Sequence, residues 1–171
     1  MAVASVTMQP QIVFWGNATE VRDVYTTGGV DTIAAGDLVR INDAGALDLA
    51  EAASAGAVHG IALEGDAGSA TQIGIVKFGT ETLVKIQCID TVAPEDLDLG
   101  EEYTLEVTAG SNAGITSTTT NGVALVVQES ATGQPWEDAT GTYDETASTN
   151  NNSVIVRFTA ATLDAVAAAA S

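Results

Sequence analysis

The amino-acid sequence predicts a mainly β protein, an antiparallel β-sandwich or β-barrel, and three observations carry that expectation. Between Ala35 and Cys88 the chain is a series of short apolar runs bounded by Gly, Asn or Asp, the pattern of strands joined by turns. Farther on, Tyr103, Leu105 and Val107 alternate with Thr104, Glu106 and Thr108, the clearest half-buried strand in the chain. Finally, the two halves echo one another, which suggests two similar β-units.

The elements follow in order. Residues 1 to 30 differ in texture from the rest. Gln11-Ile12-Val13-Phe14-Trp15-Gly16 carries an aromatic pair, followed by Val21 to Tyr25 and a Thr26-Thr27-Gly28-Gly29 hinge. This segment is either a first strand or an extended N-terminal arm lying on another subunit. Adjacent residues of a strand point to opposite faces, so one of Phe14 and Trp15 is free to meet a partner. On the arm reading, residues 1 to 28 are dispensable for folding.

From Leu38 onward strand parity is legible. Val39 and Ile41 take one face, and Arg40 and Asn42 the other; Asp43-Ala44-Gly45 is a turn, and Leu47 to Leu49 a short return strand. The Ala- and Gly-rich stretch from Glu51 to Ala57 fits a loop or one helical turn equally. Gly60 to Glu64 is a strand. Gln72 to Phe78 and Thr82 to Ile89 read as a hairpin about Gly79-Thr80, with Val84, Ile86 and Cys88 on one face. Pro94 ends that run because it cannot donate to a ladder. Gly122 to Gln128 and Ser153 to Phe158 are strongly apolar strands, separated by a polar loop at residues 129–152 that holds Trp136 and Tyr143. Residues 161–171 form a tail, at most a short helix.

The echo pairs Gly36-Asp37-Leu38-Val39 with Gly100-Glu101-Glu102-Tyr103, Gly60-Ile61-Ala62-Leu63 with Gly122-Val123-Ala124-Leu125, and Ile75-Val76-Lys77-Phe78 with Ile155-Val156-Arg157-Phe158. It places the repeats at about 34–90 and 97–159, within a β domain of residues 31–160.

Composition limits function. Five Lys and Arg stand against 23 Asp and Glu, a net charge of −18. Binding phosphate backbones or anionic lipid relies on cation density, so neither nucleic acid nor membrane is an expected partner. One cysteine allows no internal disulfide. No apolar run reaches the ~20 residues of a membrane span, and the N-terminus lacks the pattern of a signal peptide. The chain is expected to be made and folded in cytosol.

No catalytic constellation emerges. His59 and Cys88 are the only His and Cys, but a nucleophilic Cys needs an accessible position beside a base. Parity puts Cys88 in the core, while His59 precedes a strand as a solvent-exposed or capping side chain. The acid-rich stretch from Asp90 to Glu102 lacks the spacing of a calcium loop. No phosphate-binding glycine loop occurs. The chain is therefore expected to be non-enzymatic, with no metal and no cofactor.

The better functional signals are aromatics outside the core. Phe14, Trp15 and Tyr25 in the N-terminal segment, and Trp136 and Tyr143 in the loop, are candidate partner contacts. Trp136 and Tyr143 are equally able to fold back over their own domain.

The order Ala35-Gly36-Asp37-Leu38-Val39, then Gly60-Ile61-Ala62-Leu63, then Ile75-Val76-Lys77-Phe78-Gly79, resembles that of tailed-phage capsid decoration (cement) proteins. The resemblance implies a β domain that binds the outside of an assembled capsid, commonly as a trimer at local threefold positions, and stabilises it without enzymatic activity. The implied partner is the major capsid protein, and the implied location the virion exterior after assembly in the host cytoplasm. The long second half and its aromatic loop depart from that pattern. A receptor- or glycan-binding β-module on a virion or cell surface, with the acidic loop as its site, is the alternative.

Overall fold

The computed structural model describes residues 10–28, 32–50, 57–66, 71–88, 96–108, 112–120, 122–128 and 153–165. Trp136 and Tyr143, with the whole 129–152 loop, lie outside these residues. So do residues 51–56, the stretch for which a loop and a helical turn were equally expected.

The described chain is mainly β and forms two sheets packed as a sandwich. Its strands are β1 (Gln11–Phe14), β2 (Thr19–Thr26), β3 (Leu38–Ile41), β4 (Leu47–Leu49), β5 (Gly60–Ala62) and β6 (Gln72–Lys77). The second half supplies β7 (Leu83–Cys88), β8 (Glu102–Tyr103), β9 (Leu105–Thr108), β10 (Asn112–Ile115), β11 (Ala124–Gln128) and β12 (Ser153–Phe158). A one-turn helix, α1 (Ala160–Leu163), follows, capped by the Thr159 hydroxyl, which accepts from the Thr162 N–H.

One sheet has the order β2-β6-β5-β3-β4; the other runs β8-β11-β12-β7-β10-β9, with β1 added beside β7. Pairing is antiparallel except at β7–β10. A single parallel bridge from Thr27 to Leu47 joins the two ends of the first sheet, while in the second β10 meets β7 over two residue pairs within the sheet. Neither sheet closes into a barrel.

Two apolar clusters result. The smaller lies on the first sheet and holds Val39, Leu47, Ile73 and Ile75, with Val21, Tyr25 and Ile41 packed on it. The larger joins the sheets: Leu38, Ile61 and Phe78 meet Val84, Ile86, Cys88, Val126, Val156 and Phe158. The first sheet is thus covered on both faces. Arg40, opposite Val39 and Ile41, is also buried, with Asp48 of the neighbouring strand beside it at 3.9 Å, an outcome the alternation alone did not predict.

The internal echo is real in the hydrogen bonding, in a different register from the one read off the residues. Gly36 N–H donates to the Ala62 carbonyl, and Gly100 N–H to that of Val126. The Ala62 N–H donates to Asp37, and the Val126 N–H to Glu101. The His59 N–H donates to Val39, and the Val123 N–H to Tyr103. Every member of these pairs is displaced by 64 residues from its counterpart. Gly36 and Gly100 also share a left-handed backbone, at φ 92° and 83°, a conformation that costs any residue with a Cβ.

The pairing of Thr26 with Gln72 likewise has its counterpart in Gln87 with Ser153, and Tyr25 with Ile73 in Ile86 with Val154. The counterpart of β2 is therefore β7, and that of β6 is β12. The parallel bridge from Thr27 to Leu47 repeats as Cys88 to Ile115.

Three expectations are corrected by this register. The Gly60 run matches residues 124–127 instead of 122–125, because the sequence alignment follows a shared Gly where the ladder follows backbone pairing. Phe78 corresponds to Thr159, not Phe158, since the Phe78 and Thr159 N–H groups make the equivalent bonds to His59 and Val123. The units divide between Lys77 and Leu83, so β7 opens the second unit instead of ending the first.

The expected hairpin of β6 with β7 does not form. β6 pairs with β2 and β5, and β7 with β12, β1 and β10, in different sheets. Both edges of β6 are already satisfied, and the turn at residues 79–82 carries the chain across the sandwich instead. The N-terminal segment is likewise no separate arm over its described part: β1 belongs to one sheet and β2 to the other.

Candidate docking surface

The site is built on β1 and the turn that follows it. Ile12 is the anchor, half-buried against the larger core and paired with Val84. Past it the register slips: Ile12 opposes Val84, but Phe14 opposes Leu83, leaving Val13 as a bulge. A bulge breaks the in–out alternation. As a result Val13, Phe14 and Trp15 are all open to solvent, at 47%, 56% and 49% exposure. Alternation along a regular strand frees one of Phe14 and Trp15 to meet a partner; with this bulge and the turn that begins at Trp15, both are open.

That turn is held in place by the turn at residues 79–82. The Ala18 N–H donates to the Trp15 carbonyl at 2.8 Å. Gly16 has φ 52°, and a Cβ there would sit 2.5 Å from the Glu81 carbonyl oxygen. The Glu81 N–H donates to Asn17 Oδ1 at 2.9 Å, and Thr82 Oγ1 donates to the Trp15 carbonyl at 3.0 Å. The same Thr82 oxygen accepts from the Gly79 N–H at 3.0 Å. The exposed aromatics therefore sit on a fixed backbone. Asn17 and Thr82 were not singled out from the sequence. The turn at Gly79-Thr80 was legible as a turn and the one at Trp15 was not, and nothing in the order of residues showed that they touch.

The other candidates divide. Tyr25 is half-buried on the smaller cluster, so its own core takes much of its surface. Trp136 and Tyr143 lie outside the described residues. Val24, by contrast, stands open at 61% exposure.

The remaining chemistry is structural. Cys88 is buried among Val84, Ile86 and Ile115. His59 is buried too, at 6% exposure, correcting the solvent-exposed alternative; it serves as a cap, its Nδ1 accepting the Ile41 N–H at 2.8 Å. Burial, and next the charge of Lys77, hold its pKa below the ordinary 6.5, against smaller opposing effects from the Ala165 backbone and Asp164. Arg22 pairs with Glu20 and Glu64 on the surface. Among the described residues no three His, Cys, Asp or Glu side chains are grouped to hold a metal ion. No helix among them is long and apolar enough to cross a membrane.

No protein family, curated protein or solved structure matches this chain.

Proposed function

We propose that this chain is a non-enzymatic structural protein of a phage head, a decoration protein that binds the outer surface of the capsid and stabilises the shell. The observation that carries the reading is the run Val13-Phe14-Trp15, three consecutive apolar side chains open to solvent where β1 enters a hydrogen-bonded turn. Contiguous apolar surface of this kind marks interaction sites on soluble proteins, and aromatic anchors supply much of the affinity at interfaces. The resemblance in the order of the Gly36, Gly60 and Ile75 runs points to a capsid as the partner. The stabilising mechanism is interface area: each copy bridges neighbouring major capsid protein subunits and opposes the outward pressure of packaged DNA. Assembly as a trimer at local threefold positions belongs to the same reading.

The test is sedimentation of the purified chain with empty capsids. Saturable retention supports the proposal. Binding to a glycan array with no retention on capsids favours the receptor-binding alternative.

A further inference from the structure

We infer that the surface docking on Val13, Phe14 and Trp15 is cationic, a protein face on which arginine or lysine side chains lie over the two aromatic rings. The inference rests on the reading that this run is a docking site, and it specifies the partner's chemistry. Three observations lead to it.

First, the rings are open to solvent and the turn at Trp15 is hydrogen-bonded to its neighbour, so a planar guanidinium or an ammonium can reach a π-face. Second, an acidic residue lies on the turn packed against theirs. Glu81 is exposed, and its Cβ is 2.9 Å from where a Cβ of Gly16 would lie. A cationic face docking here thus meets exposed aromatics next to a turn that carries an exposed acid. Third, the charge balance disfavours a second copy of the chain as the occupant. Each copy carries −18, with only five Lys and Arg. Of these, Arg22 is engaged by Glu20 and Glu64, and Arg40 is buried beside Asp48. A second copy brings mostly repulsion, whereas a basic face gains attraction over the whole approach.

The test uses two defined probes on the full chain: an acetylated Arg-Leu repeat hexapeptide and its Glu-Leu counterpart. Binding is followed through the Trp15 indole N–H resonance in a Trp136→Phe background. The basic peptide is expected to shift that resonance and to bind at least about tenfold tighter than the acidic one, with affinity falling as salt rises. Glu81→Gln, which keeps the backbone N–H bond to Asn17, is expected to weaken binding about threefold. Trp15→Ala, which leaves no indole reporter and is followed by isothermal titration calorimetry beside the native chain, is expected to remove the saturable component. Equal binding of both peptides overturns the inference. So does basic-peptide binding unchanged by Trp15→Ala and Glu81→Gln, which would be diffuse attraction to the acidic surface. Concentration-dependent shifts of the Trp15 signal without peptide would assign the face to a second copy and also overturn it. A chain that binds the basic peptide at Trp15 yet fails to sediment with capsids leaves the inference standing and removes the decoration reading.

Discussion

Phe78 and Phe158 stack across the sandwich, with ring centroids 5.5 Å apart and planes 7° from parallel. One follows β6 in the first unit and the other ends β12 in the second, so the stack ties the two units together within the larger core. Truncating either ring leaves a cavity at the joint. Phe78→Ala and Phe158→Ala are each expected to cost about 3–5 kcal/mol. Part of that loss is shared between the rings, so the double variant should cost less than the sum. Urea unfolding of the three variants checks this; strict additivity would deny the coupling.

The strand β2 contributes Val21 and Tyr25 to the smaller core and covers one edge of β6. Deleting residues 1–28 removes it and leaves that edge and cluster open. The truncated chain is therefore expected to lose its cooperative unfolding transition, in contrast to the arm reading, under which it folds. Circular dichroism during a thermal melt distinguishes the two.

Gly60 lies against β6 so closely that a Cβ would collide with the Val76 carbonyl, part of the backbone of a central strand. Gly45 has open space around it and a φ of 78°. Gly45→Ala is thus expected to cost about 1–2 kcal/mol, the left-handed penalty alone. Gly60→Ala must displace a paired strand and is expected to cost more, about 3 kcal/mol. Denaturant midpoints at a constant m-value report the order; a smaller loss for Gly60→Ala would contradict the packing described.

His59 makes stability depend on pH. Its folded-state pKa is held below the ordinary 6.5 by burial and then by Lys77, so the folded state takes up a proton less readily than the unfolded chain. The contribution of neutral His59 is complete above about pH 6.5 and is lost as pH falls from there through the folded-state pKa. Unfolding between pH 7.5 and 5.5 should show this loss in the native chain and a flatter response in His59→Gln. Equal slopes would remove His59 as the cause.

Strand positions were largely legible because alternation and Gly, Asn or Asp boundaries are local properties. The buried face of Val84, Ile86 and Cys88 follows from parity alone. Partner choice was not legible. Whether β6 pairs with β7 depends on the far earlier β2, which occupies that edge of β6 from Thr19–Lys77 to Thr26–Gln72. The echo was legible as an echo but shifted by two residues at Gly60 and by one at Phe78, since side-chain likeness does not report backbone register. The burial of Arg40 was not legible, because its partner Asp48 is set by the pairing of β3 with β4 and not by local alternation. At the docking surface, Phe14 and Trp15 were visible as aromatics outside the core pattern. Their joint exposure was not, because it arises from the Val13 bulge and the grip of Asn17 and Thr82 on the turn.

Co-sedimentation of the native chain and a Phe14→Ser/Trp15→Ser variant with empty capsids reads out whether the Val13-Phe14-Trp15 face attaches this chain to a capsid. Both residues are exposed, so the variant is expected to fold with an unchanged melting transition. The account predicts saturable retention of the native chain on pelleted capsids and loss of that retention in the variant. Absence of the native chain from the pellet, or equal retention of the two, would contradict it.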